Sequence, residues 1–247
     1  MKCLPLLVLC LVSGLVSAVE CDKKVFLTFD TGNMAVAEHV AQVLERQQVK
    51  ATFFLANEKT SRGDYSLDDS WQSFWVKLSK QGHVFGSHTI DHTYLQKDIG
   101  ANQVLVKSQF GPYAGKLREF SSKQFCSEIK AVDERFNKLT GQHLSPIWRA
   151  PGGKISDRLV LMGQNCGYKH IAWSESGFMG DELSSKTFPN EVLLKRALAN
   201  LKDGDVTMAH LGIWSRKDAW APAVLEPLII GLKKKGFCFS TIDAERS

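Results

Sequence analysis

His88-Thr89-Ile90-Asp91-His92 sets two imidazoles four residues apart. On a helical turn both rings would face one way, close enough to share a divalent ion. The spacing alone is a weak signal, since two unrelated surface histidines satisfy it equally well. A carboxylate at the end of a buried strand raises its weight, and Asp30 directly follows the apolar run Lys24 to Phe29. A metal ion would lower the pKa of a bound water, and a neighbouring carboxylate would take its proton, which together make a hydrolytic set. Arg149 and His210 also stand where an apolar run gives way to a turn.

The elements that must position these residues alternate between strand and helix. Lys24 to Phe29, Ala51 to Ala56, His83 to Ser87, Pro146 to Arg149, Tyr168 to Trp173, Val206 to His210 and Phe237 to Ile242 read as strands. Between them, Val36, Val40, Val43 and Leu44 recur at helical spacing, as do Trp71, Phe74, Trp75 and Leu78. Phe125, Ile129, Val132, Phe136 and Leu139 mark a third helix, capped by Ser121 or Ser122 and ending before Gly141. Ser156 to Cys166, Asn190 to Leu201 and a last helix from about Pro222 to Lys235 complete the set. Residues 93–120 are broken by Gly100, Gly111-Pro112 and Gly115 and read as a long loop beside the site. The pattern predicts an α/β fold, a distorted (β/α) barrel of about seven parallel strands rather than an open sheet. In either case the chemistry belongs at the C-terminal strand ends, where Asp30, His88, Arg149 and His210 lie.

Lys2, the apolar run Leu4 to Val12 and the small residues ending at Ala18 form the pattern of a cleavable signal peptide. The run falls short of the roughly 20 apolar residues that cross a bilayer, so no membrane span is expected. Residues 19–247 then form one domain in a secreted or periplasmic protein. Four cysteines remain, Cys21, Cys126, Cys166 and Cys238, an even number with three possible pairings. The net charge of +5 comes from scattered lysines, not from the concentrated basic stripe of a nucleic-acid binder. A monomer is expected.

Thr28-Phe29-Asp30-Thr31-Gly32, His88-Thr89-Ile90-Asp91-His92, Arg149-Ala150-Pro151-Gly152-Gly153 and Met208-Ala209-His210 together resemble the ordered motifs of the NodB-type polysaccharide deacetylases. These carbohydrate esterases (family 4) include peptidoglycan and chitin deacetylases, and the resemblance runs from Lys24 to Ile242. It implies that Asp30 is the general base, that His88 and His92 bind a divalent metal, usually zinc, and that Arg149 orients Asp30. It further implies that Gly152, after Pro151, offers its N–H to the oxyanion. His210 would be the general acid, and Met208 would line the acetyl methyl pocket. The substrate would be an N-acetylated polysaccharide, peptidoglycan first and chitin-like oligomers second.

Two departures from that pattern stand out. Thr31 occupies the place of a carboxylate that would complete the metal's ligands, and a neutral hydroxyl is a poor ligand by comparison. Either a water held by Thr31 replaces the carboxylate, or Asp30 moves onto the metal, or the chain is a carbohydrate-binding relic. Near Trp173 the Asp that would tune the late histidine is also absent from its register, and Glu175 or Asp181 is the candidate substitute. Trp173 is either a site residue or a core aromatic. Trp214, four residues after His210, offers a face on which a sugar ring can stack, or else anchors its loop. His39, His83, His143 and His170 take structural readings.

Overall fold

The computed structural model describes Cys21 and residues 23–242. The expected signal peptide, residues 1–18, lies outside the described residues. The chain runs β1 (Lys23–Phe26), β2 (Thr28–Asp30), α1 (Ala37–Arg46), β3 (Thr52–Leu55), α2 (Gln72–Lys80), β4 (Val84–Ser87), β5 (Thr93–Ile99), β6 (Gln103–Ser108) and β7 (Leu117–Ser121). It continues with α3 (Ser122–Thr140), β8 (Ile147–Trp148), α4 (Asp157–Asn165), β9 (Lys169–His170), α5 (Asn190–Asn200), β10 (Asp205–Val206), β11 (Ala209–His210), α6 (Trp220–Lys234) and β12 (Phe237–Phe239).

Two parallel sheets carry the fold, in the orders β10-β1-β12 and β11-β2-β3-β4-β8-β9. The first expected strand is therefore two. It breaks at Leu27, with β1 in one sheet and β2 in the other. The strand expected over Val206 to His210 breaks in the same way into β10 and β11. Counted as chain passes these make seven parallel strands, in keeping with a distorted α/β barrel. No ladder joins β9 to the β10-β1-β12 sheet among the described residues, so the ring is open on that side.

Strand periodicity explains which side chains meet. Phe29, Phe53 and Phe85 are register partners on β2, β3 and β4, and their rings stack with centroids 5.6 and 5.7 Å apart. They bury one face of the sheet, together with Trp75 from α2. Residues one step along point the other way. That turns Thr28, Asp30 and Phe54 to the opposite face, where Arg149 waits.

The segment 93–120 is a three-stranded antiparallel sheet, β5-β6-β7, rather than a loop. Its glycines sit at positive φ in the connections after β5 and β6. The breaks seen in the sequence are thus turns, and the alternation of buried Val104, Val106 and Ser108 between them is ordinary strand periodicity. Ser121 is the residue that caps α3, in a reciprocal capping box with Gln124, and Gly141 closes the helix in the left-handed region.

The disulfides are Cys21–Cys238 and Cys126–Cys166. The first joins the residue ahead of β1 to β12, across a sequence separation of 217; the second joins α3 to the end of α4 across 40. Chain-entropy reasoning gives about 5 kcal/mol for the longer closure and about 4 for the shorter. Replacing both cysteines of either pair by alanine is expected to lower the melting temperature, more for Cys21/Cys238. Unchanged melting of that variant in a thermal scan would show that the terminal strands need no covalent tie.

Candidate active site

Asp30 ends β2 with its carboxylate buried, and Arg149 at the end of β8 donates from Nη1 to its Oδ1 at 2.9 Å. The same Nη1 donates to Thr28 Oγ1 at 2.7 Å, while Nε donates to the Ile171 carbonyl and the guanidinium lies over the Phe54 ring. Burial alone would raise the Asp30 pKa. The charges of Arg149, His88 and His210 outweigh it and hold Asp30 below the usual carboxylate range.

His88 and His92 do not lie on a helical turn. Thr89 and His92 have positive φ, so the segment after β4 is an irregular turn. The rings still meet, with centroids 4.8 Å apart. His88 donates from Nδ1 to the Arg149 carbonyl at 2.9 Å, which turns the lone pair of Nε2 toward Asp30 Oδ2, 3.6 Å away. A backbone carbonyl fixing one ring nitrogen is the usual support for a metal-binding histidine. Burial, with the charge of His92, lowers the His88 pKa to about 4 despite Asp30 and Glu58, so the ring is neutral and able to ligate. His92 is buried, and its Nδ1 has no hydrogen-bond partner.

Thr31 makes one donated and one accepted hydrogen bond through its hydroxyl. Its hydroxyl donates to Glu58 Oε1 at 2.6 Å and accepts from the Ala56 N–H, while the Gly32 N–H also donates to Glu58 Oε1 at 2.8 Å. Glu58, two residues beyond the apolar run ending at Ala56, was not among the residues picked from the sequence. The rule that selected Asp30, a polar residue just past a buried strand, would have found it.

His210 ends β11, and the side chain that tunes it is Asp181. The carboxylate accepts from His210 Nδ1 at 3.1 Å and from the His210 backbone N–H at 2.7 Å. Glu175 instead lines a separate cavity with Arg196 and Lys202. Burial alone would lower the His210 pKa; the Asp181 charge and hydrogen bond, with Asp30 and Glu182 beyond, raise it to about 10.

The remaining candidates frame this cluster. Pro151 opens a short turn with Gly152 and Gly153, both at positive φ. A Cβ on Gly152 would come within 2.8 Å of the Tyr94 ring, and one on Gly153 within 2.7 Å of the Trp173 ring. Trp173 therefore packs on the arginine motif, and Tyr94, from the unforeseen β5, fills the space beside Gly152 and meets the His92 ring edge-on. Met208 is buried between β10 and β11, whereas Trp214 is 60% exposed on the loop after His210.

Two buried imidazoles, one with an orphaned ring nitrogen, suit two ligands of a divalent ion such as zinc. No three His, Cys, Asp or Glu side chains are gathered into a complete metal site among the described residues. The chemistry of the donors fits the ion, with His88 and His92 as the residues that would hold it.

The family model described as polysaccharide deacetylase matches residues 18–171. The chain belongs to the polysaccharide deacetylase family. A peptidoglycan-N-acetylglucosamine deacetylase of Bacillus cereus is 24% identical over 222 residues, covering 90% of this chain and 87% of the relative. The solved Bc1960 peptidoglycan N-acetylglucosamine deacetylase superposes with a TM-score of 0.65 at 22% identity, covering 90% of this chain and 88% of that one. A mutant of the pseudoenzyme BA3943, described as having restored enzymatic activity, superposes equally well at 20% identity over 89% of this chain and 66% of that one. Deacetylases and a pseudoenzyme of this family therefore share the fold.

Asp181→Asn in this deacetylase-family site is expected to shift the alkaline limb of kcat/KM down by about 1–3 pH units. The sign follows from the raised His210 pKa, since the acid form then disappears at lower pH once its anionic partner is gone. An unmoved limb would separate His210 from the proton transfer. Gly152→Ala is expected to destabilise the fold by about 1–3 kcal/mol through its positive φ and the clash with Tyr94. Adding Tyr94→Ala should recover only the clash, as read by denaturant unfolding.

Proposed function

We propose that this chain is a secreted or periplasmic, metal-dependent hydrolase that removes N-acetyl groups from amino sugars of a polysaccharide, peptidoglycan first and chitin-like oligomers second. The observation that carries the reading is the opposite treatment of two titratable groups at neighbouring strand ends. Asp30 is held ionised by Arg149, and His210 is held protonated by Asp181. A base and an acid set apart by their environments are what amide hydrolysis requires.

In this reading His88 and His92 hold a divalent ion, which would supply Lewis acidity at the acetyl carbonyl and acidify a water. Asp30 takes the proton of the attacking water. The Gly152 N–H, in the turn after Pro151, would donate to the developing oxyanion. His210 protonates the departing sugar amine, and acetate leaves. Met208 lines the place of the acetyl methyl, and the exposed face of Trp214 stacks on a sugar ring. The reading has residues 19–247 as one catalytic domain acting as a monomer, with a leader over 1–18 taking it to its polymer.

A second reading, a carbohydrate-binding relic that has lost a metal ligand, draws on Thr31. Acetate release from peptidoglycan and from chitin oligomers separates the two, measured with zinc, with chelator, and with Asp30→Asn. The enzyme is expected to release acetate only with metal and to lose at least about 100-fold on substitution of the base. Sugar binding without acetate release from either polymer would establish the relic.

A further inference from the structure

Two carboxylates are buried at the strand ends around His88, and the cations on hand serve only one of them. Asp30 has Arg149. Glu58 is 6% exposed and has no lysine, arginine or histidine within 4.0 Å among the described residues. Burying an acid without a counter-charge is costly, unless a cation arrives from outside the chain. His92 makes the same demand independently, with a buried ring nitrogen that has no partner.

The position of Glu58 is tightly set. Its N–H donates to Ser66 Oγ at 3.0 Å and its carbonyl accepts from the Ser66 N–H at 2.9 Å. Oε1 is committed to the Thr31 hydroxyl and the Gly32 N–H. Thr31 Oγ1 gives its only proton to this carboxylate and accepts one bond, from Ala56 at 3.2 Å. A hydroxyl oxygen has two lone pairs, so one remains open. A hydroxyl that donates at 2.6 Å to a carboxylate carries extra negative charge on its oxygen, which makes it a better donor for a hard cation.

We propose that Glu58, acting through the Thr31 hydroxyl, supplies the negative charge that a carboxylate at position 31 would otherwise bring to the ion held by His88 and His92. The inference rests on the metal-dependent reading above and deepens it. Glu58 is a positioning and charge-supplying residue, while Thr31 is the ligand. The charge of Glu58 also reaches the His88 ring, as expected of a carboxylate on that side of the site.

The test is zinc affinity, read by competition with a chromophoric chelator on metal-stripped protein, with no turnover involved. Glu58→Gln keeps an acceptor for Thr31 and Gly32 and removes only the charge. It is expected to weaken zinc binding about 10- to 100-fold, the range found for groups that support a ligand from behind. Thr31→Val should weaken it comparably, and the double variant should lose little more than either single one. Thr31→Asp combined with Glu58→Gln should restore affinity, which also shows that position 58 tolerates the change without unfolding. Wild-type affinity in Glu58→Gln overturns the proposal and leaves the enzyme reading standing. So does a loss in Glu58→Gln that Thr31→Val does not share, because Glu58 would then ligate directly. A wild-type protein that takes up no zinc overturns both.

Discussion

Arg149 and Asp30 form an ion pair with no exposure on the guanidinium and almost none on the carboxylate, and the surrounding strands are arranged to sustain it. Breaking such a pair by removing one partner typically costs about 3–5 kcal/mol, because the other charge is left stranded. Each remaining polar contact of Arg149 is therefore a structural demand. Thr28 on β2 and the Ile171 carbonyl beyond β9 accept its protons, Phe54 on β3 lies beneath it, and its own carbonyl fixes His88. Through one side chain, residues from four strand ends are drawn to one point.

The same site holds a second pair of opposite polarity. His210 with Asp181 reverses the arrangement of Asp30 with Arg149: in the first pair an anion raises the pKa of a buried imidazole, and in the second a cation lowers that of a buried carboxylate. The register partnership of His210 with Asp30 across β11 and β2 fixes their separation through backbone hydrogen bonds rather than through flexible side chains. Sites on strand ends hold such geometry better than sites on loops alone. Glu58 breaks the symmetry, since it is a third buried carboxylate at the cluster with no cation beside it among the described residues.

Around these pairs, packing takes the place of side-chain bulk. Gly152 and Gly153 leave room that Tyr94 and Trp173 fill, so the turn from Pro151 to Gly153 is held by aromatic rings from two other segments. Tyr94 reaches this place because β5 is a strand, pinned by pairing with β6. The small antiparallel sheet is thus a wall of the site.

Much of this was legible in the sequence. Apolar periodicity located the parallel strands and the six α-helices of the described residues to within a few residues, because burial on one face writes itself into local spacing. The strand-end rule then placed Asp30, His88, Arg149 and His210 together without any contact being known. Other features depend on residues distant in the chain. The break at Leu27 arises because one pass pairs with β12 through β1 and with β3 through β2, and the break between Val206 and Ala209 runs alongside it, β10 pairing with β1 and β11 with β2. The β5-β6-β7 sheet was hidden because hairpin turns and loop breaks use the same glycines. The choice of Asp181 over Glu175, the pairing of the cysteines and the Glu58–Thr31 hydrogen bond were settled only by tertiary structure. Residue type and spacing declare which groups can do chemistry, while the distance between side chains 27 or 29 positions apart is set by how the strands pack.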